Sequence, residues 1–106
     1  MVIIMSYIST TIKRETSKMS ILLDLYMEQL AMLPKGSIRT KERGGKQYFY
    51  LSYRDGSRVV TDYIGNDQTK LAALKEQLEQ RKHIETVIKG LNKELHFANK
   101  VLEGIR

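Results

Sequence analysis

A chain of 106 residues with 42% apolar and 28% charged side chains is long enough for one small hydrophobic core and no more. It contains no cysteine, which excludes a disulfide framework and a thiolate metal site and fits a reducing interior. Eighteen Lys and Arg against twelve Asp and Glu leave a net charge of +6, and such an excess in a small chain points to an acidic partner, most often nucleic acid.

The chain opens on MVIIMSYISTTIKRE. This apolar run falls short of the about 20 residues that a membrane-spanning helix needs. No basic region precedes it, as one would in an export signal. A cytoplasmic protein without a membrane partner is the expectation. Residues 1–15 are set apart as an N-terminal segment: a strand, a helix extension and a loose tail all fit the pattern.

From Thr16 to Leu33 the residues Met19, Leu22, Leu23, Tyr26, Met27, Leu30 and Leu33 recur at helical spacing, and Pro34 and Gly36 supply the stop. Residues 36–65 change character. Gly44-Gly45 and Asp55-Gly56 are tight-turn signals flanked by alternating aromatic and β-branched residues, which predicts three antiparallel strands at Ser37–Arg43, Lys46–Arg54 and Ser57–Ile64. Asn66 and Asp67 then offer caps to a helix over residues 67–104. Leu71, Leu74 and Leu78 form one seam of that helix. Ile84, Ile88, Leu91, Leu95, Ala98 and Leu102 form another at strict 4-3 spacing. The two seams are out of frame, and the break falls at Glu79–His83, where Arg81 takes a seam position; a kink, a bend or two helices with different partners would each account for it. The expectation is a single α+β domain over residues 1–106. It consists of a helix, a three-stranded meander and a long helix, with the helices paired as a hairpin or as a coiled coil in a dimer.

Two-residue turns set the strand register. Pairing Arg43 with Lys46 places Lys41 opposite Tyr48, Arg39 opposite Tyr50 and Ser37 opposite Ser52. Pairing Arg54 with Ser57 places Ser52 opposite Val59, Tyr50 opposite Thr61 and Tyr48 opposite Tyr63. Because side chains alternate between faces, Ile38, Phe49, Leu51, Val60 and Ile64 collect on one face, with Tyr53 and Arg58 at its rim. Arg39, Lys41, Arg43, Lys46, Tyr48, Tyr50, Arg54, Thr61 and Tyr63 collect on the other. Residues 35–58 hold seven basic and two acidic side chains, so most of the chain's charge excess is local. Lys and Arg neutralise phosphates and release counterions. Tyrosine rings stack on bases, their hydroxyls bond phosphate oxygens, and arginine reads guanine edges. The second face is therefore the candidate nucleic-acid interface. A protein-binding face or a solvated face with Tyr–Arg cross-strand packing are the alternatives.

The stretch GSIRTKERGGKQYFYLSYRDGSRVVTDYIG and the charged helix after it resemble the arm-type DNA-binding module of tyrosine recombinases over residues 36–82. That module has a basic first strand, an aromatic second strand, a third strand and a packing helix. The resemblance implies that the sheet enters the DNA major groove with Arg39, Lys41, Tyr48, Tyr50, Arg54 and Thr61 facing the duplex. The chain also resembles small proteins of bacteria and their mobile elements. It departs from the recombinases in lacking a catalytic domain, in its longer final helix and in the hydrophobic helix ahead of the sheet.

His83 and His96 lie thirteen residues apart, not at the four-residue spacing of helical metal ligands. No phosphate-cradling glycine loop, nucleophile elbow or paired carboxylates occur. The expectation is a protein that is not an enzyme and uses no metal or cofactor. It would bind nucleic acid, DNA over RNA, through the sheet and pair or dimerise through its helices. The alternatives are an inhibitor carried by a phage or mobile element, such as an anti-CRISPR acting on a nuclease or its guide RNA, and a coiled-coil assembly factor working through Ile84–Leu102.

Overall fold

A computed structural model describes residues 2–105; Met1 and Arg106, the ends of the expected domain, lie outside the described residues. The elements in chain order are α1 (Val2–Met32), β1 (Ser37–Arg43), β2 (Lys46–Asp55), β3 (Arg58–Gly65) and α2 (Gln68–Ile105). The three strands form one antiparallel meander in the order β1-β2-β3. The fold is α+β, as the sequence leads one to expect. The chain divides into two compact units. One is Leu33–Lys82, and the other combines Met1–Met32 with His83–Arg106.

In the sheet unit, the β1–β2 turn is built on Gly44 and Gly45, whose φ values of +58° and +77° suit a type I′ turn. Arg43 pairs with Lys46, Lys41 with Tyr48 and Arg39 with Tyr50, as the glycine pair predicts. The second turn differs from expectation. Asp55 pairs with Arg58, so the loop is Gly56-Ser57 and not Asp55-Gly56. A type I′ loop on Asp55-Gly56 would need positive φ at Asp55, and among the described residues only glycines have it. Gly56, at φ +63°, instead stands first in the loop, the position that a type II′ turn reserves for glycine. The pairing moves by two residues: Tyr63 faces Tyr50, and Thr61 faces Ser52. A two-residue move leaves every side chain on its expected face.

Near the end of β3 the ladder is irregular. Tyr50 pairs with Tyr63 but Phe49 with Gly65, so Ile64 is the extra residue of a bulge and not a regular member of the strand. The buried Gly65 (φ +92°) completes it, a backbone state that side chains resist.

The apolar side of the sheet holds the buried Leu51 with half-buried Ile38, Phe49, Tyr53 and Val60. The same unit holds the first half of α2, whose Leu71 is 4% exposed and whose Leu74 and Leu78 are half-buried. Asp67 caps this helix: its Oδ1 accepts from the amides of Thr69 (2.9 Å) and Lys70 (3.3 Å). Gly36 leads into β1 at φ +120°, with the Ser52 carbonyl and the Tyr53 side chain directly over it. A β-carbon there would overlap the Ser52 oxygen and lie 2.9 Å from Tyr53 Cβ. Arg81 occupies its out-of-frame seam position half-buried, and its guanidinium donates to the Leu33 carbonyl at 3.1 Å. A chain-end carbonyl just past α1, which has no helical partner of its own, is thereby satisfied.

In the helical unit, α1 is one unbroken helix, so residues 2–15 extend the helix expected from Thr16. No glycine or proline interrupts it. The hydroxyls of Thr10, Thr11, Thr16 and Ser17 donate to carbonyls three or four residues back, which settles four polar groups within the helix itself. Its half-buried positions include Ser9, Ile12, Thr16, Met19, Leu23, Tyr26 and Leu30, alternating three and four residues apart. On α2 the matching set is the buried Ile84 with half-buried Ile88, Leu91, Leu95, Ala98, Leu102 and Ile105. α1 shares its compact unit with this half of α2, and a hollow of about 480 Å³ brings Leu30 together with Glu85 and Ile88, so the end of α1 lies beside the start of this seam. The seam predicted at Ile84–Leu102 therefore meets α1 within the chain. α2 is helical without interruption through residues 79–83, and it changes from one unit to the other at Lys82/His83, within the predicted break.

Gly36→Ala is expected to lower stability by about 1–3 kcal/mol through strain and overlap, read as a drop in chemical-denaturation midpoint; an unchanged midpoint would contradict the backbone described. Ile84→Ala is expected to cost about 2–5 kcal/mol, and Leu95→Ala less, because Leu95 is only half-buried.

Candidate nucleic-acid interface

The observed pairing sorts the sheet cleanly. Ser37, Arg39, Lys41 and Arg43 of β1, Lys46, Tyr48, Tyr50, Ser52 and Arg54 of β2, and Val59, Thr61 and Tyr63 of β3 share one face. All nine residues expected at the interface are among them. Five are basic and none is acidic. The sheet's three carboxylates, Glu42, Asp55 and Asp62, all take the opposite parity. The excess charge is therefore a property of a face and not merely of a segment.

The tyrosines are organised by their neighbours. Tyr50 and Tyr63, paired across β2 and β3, place their ring centroids 5.3 Å apart at 59°, within the range of favourable tilted aromatic pairs. Lys41 Nζ lies 5.1 Å from the Tyr50 centroid on the other side, close enough for a cation–π contact. Arg43, Tyr48, Tyr50 and Tyr63 line a shallow depression of about 280 Å³. Tyr63 is 64% exposed at its edge, while Tyr48 and Tyr50 are half-buried against each other's neighbours. Arg39, Lys41, Arg43, Lys46, Arg54 and Thr61 are exposed. The result is a floor of aromatic rings with cationic side chains around it. Such a floor accepts a flat π-system by stacking and an anionic backbone along its rim.

Val59, opposite Arg54 and 63% exposed, belongs to this face and was not among the expected interface residues. The alternation that placed Thr61 and Tyr63 there was the signal that could have found it.

Tyr53 sits on the covered side, diagonal to Asp62. The Asp62 charge, then partial burial, then a hydrogen bond to Asp62 and the more distant Asp55 hold its hydroxyl pKa above the ordinary 10.0. Lys35 Nζ is 6.0 Å from the Tyr53 ring. Asp62 is thus engaged on the covered side and does not offset the cations of the open face.

Among the described residues, no cluster of His, Asp and Glu is arranged to hold a metal ion, and no helix is long and apolar enough to cross a membrane. What the geometry defines is a small α+β protein presenting a basic, tyrosine-floored three-stranded sheet. The chain belongs to the family described as Domain of unknown function (DUF6788), whose model matches residues 8–73, a span that contains the whole sheet and most of α1. No curated protein and no solved structure matches the chain.

The protonated Tyr53 hydroxyl is the form that the folded state holds. Its contribution is complete below the ordinary tyrosine pKa of 10.0 and is lost as pH rises through the raised folded value. Thermal melts across this alkaline range are expected to show a shallower loss of stability in Tyr53→Phe than in the parent chain; parallel curves would contradict the Tyr53–Asp62 contact.

Proposed function

We propose that this protein binds nucleic acid, duplex DNA in preference to RNA, through the open face of its sheet, and that it acts by binding and not by catalysis. The observation that carries the reading is the segregation of charge. Five basic side chains surround a tyrosine floor on one face, and every carboxylate of the sheet has the other parity. Cations on one side of a thin layer neutralise phosphates without an internal competitor. The scale also fits. Neighbouring strands lie about 4.8 Å apart, so three strands measure roughly 10 Å across their backbones, close to the about 12 Å width of a major groove. The resemblance of residues 36–82 to the arm-type module of tyrosine recombinases points the same way. On this reading Arg39, Lys41, Arg43 and Lys46 hold phosphates along the β1–β2 edge, Arg54 reaches a base edge or a phosphate at the far end, and Tyr48, Tyr50 and Tyr63 pack on sugars or bases. A cytoplasmic protein of a bacterium or a mobile element is the setting that this reading proposes.

With three to five phosphate contacts, log affinity is expected to fall against log salt with a slope of roughly −3 to −4.5. Arg39→Ala and Lys41→Ala should each reduce that slope by about one unit. Tyr50→Phe should weaken binding less than Tyr50→Ala, because stacking survives the loss of the hydroxyl. Lys89→Ala, on the second half of α2, serves as the control. Fluorescence anisotropy with labelled duplex and single-stranded oligonucleotides reads all five variants. If no oligonucleotide binds at low salt, or the five variants bind alike, the nucleic-acid reading fails. An Arg- and Tyr-rich face of this kind then fits a protein target such as a nuclease.

A further inference from the structure

We infer that the outer face of α1 pairs with the same face of a second copy of the chain, antiparallel, about a two-fold axis between Glu15 and Lys18. Of the thirteen large apolar side chains exposed among the described residues, ten lie on α1. Five of these ten, Ile4, Ile8, Leu22, Leu25 and Met32, share one stripe. Ile4, Ile8, Thr11, Glu15, Lys18, Leu22, Leu25, Gln29 and Met32 form a second stripe at alternating spacings of four and three, beside the stripe turned to α2. Ile4 is 60% exposed, Leu25 51% and Met32 87%, and Tyr7 and Ile21 flank the stripe at 74% and 64%. A helix with two adjacent apolar seams is built for two helical neighbours, and this chain supplies one.

Three observations identify the second neighbour as another copy. The first is area. A folded monomer of 12.3 kDa is expected to expose about 6,100 Å², whereas this chain exposes 8355 Å². The excess of roughly 2,200 Å² amply covers the about 800 Å² per partner of a stable interface. The second is symmetry of charge. The polar middle of the stripe is one acid and one base, Glu15 and Lys18, with Nζ and Oε1 3.4 Å apart within the chain. An antiparallel copy in the register that sets Glu15 against Lys18 also sets Lys18 against Glu15, so one interaction occurs twice, as a two-fold interface requires. The third is the match of the remaining layers. The same register sets Ile8 against Leu25, Thr11 against Leu22 and Ile4 against Gln29, each layer combining one position of each heptad type as antiparallel pairs do. The Thr11 hydroxyl is already satisfied by the Tyr7 carbonyl at 3.0 Å, leaving its methyl for the contact. The face lies in the helical unit, so its pairing is independent of what the sheet binds.

Light scattering on the full chain at about 100 µM, where a stable dimer is fully populated, is expected to give twice the 12.3 kDa chain mass. Leu25→Glu should give the single mass with the helical circular dichroism signal retained. Glu15→Lys and Lys18→Glu are exposed substitutions that leave the fold intact, and each should weaken self-association by about tenfold, since two attractive pairs become two repulsive ones. Mixing these two variants should restore the dimer as a heterodimer. Because the chain has no cysteine, Ile8→Cys and Leu25→Cys provide the register: mixed, they should oxidise to a cross-linked pair, and neither should cross-link alone. A monomer mass for the parent chain overturns the inference. So does a dimer that survives Leu25→Glu, a charge-swapped mixture that fails to recover, or self-cross-linking by Ile8→Cys.

Discussion

The alternation of side chains along a paired strand is the constraint on which the character of this molecule rests. Glycine turns decide which residues stand opposite one another, and opposition decides faces. At Gly44-Gly45 both residues take positive φ and the pairing follows without ambiguity. At the second turn glycine stands first in the loop, and the pairing slides by two. A slide of one at this turn would have carried Thr61 and Tyr63 to the covered side and brought Val60 and Asp62 onto the open face. A slide of two changes neighbours and preserves faces. The conversion of Tyr63 from a neighbour of Tyr48 to the partner of Tyr50 is the visible trace of that slide, and it creates the ring pair at the centre of the open face.

The second constraint is the change of frame in α2. Leu71, Leu74 and Leu78 serve the sheet unit, and Ile84 through Ile105 serve the helical one. A single apolar stripe cannot do both, so the frame must shift somewhere. It shifts where Arg81 replaces an apolar seam residue and spends its guanidinium on the Leu33 carbonyl. A charged residue at a seam is costly when nothing answers it. Here the chain's own turn supplies an acceptor, and the helix continues without the kink that the sequence allowed.

Much of this was legible in the residues, for reasons that can be named. The strands, their order and the face to which each candidate residue belongs followed from two glycine-containing turns and a period of two. Less was legible where two local rules competed. Asp55-Gly56 and Gly56-Ser57 are both acceptable hairpin loops, and only the backbone state of Asp55 separates them. Ile64 looked like a regular strand residue because a bulge has no sequence signature beyond the glycine that follows it. The helicity of residues 2–15 was hidden by β-branched and hydroxyl residues, Val2, Ile3, Ile4, Ile8, Thr10 and Thr11, whose preference for strands yields here to continuity with a strong helix and to back-bonded hydroxyls. Val59 was set opposite Ser52 but not counted with the candidate face, although the alternation that put Thr61 and Tyr63 there places it outside as well.

The separation of acids from bases across the sheet has a consequence apart from any single contact. A layer with five cations and no carboxylate on one side, and three carboxylates beside the single Arg58 on the other, is a transverse dipole. In the field of a polyanion such a dipole experiences a torque as well as an attraction, so the sheet would turn its tyrosine floor towards the phosphates before it touches them. Had the same residues been mixed over both faces, net charge and attraction would be unchanged but most encounters would arrive in an unproductive orientation. On the proposed reading, the arrangement would therefore act on the fraction of collisions that lead to binding, a kinetic property encoded in which of two alternate positions along each strand the charges occupy.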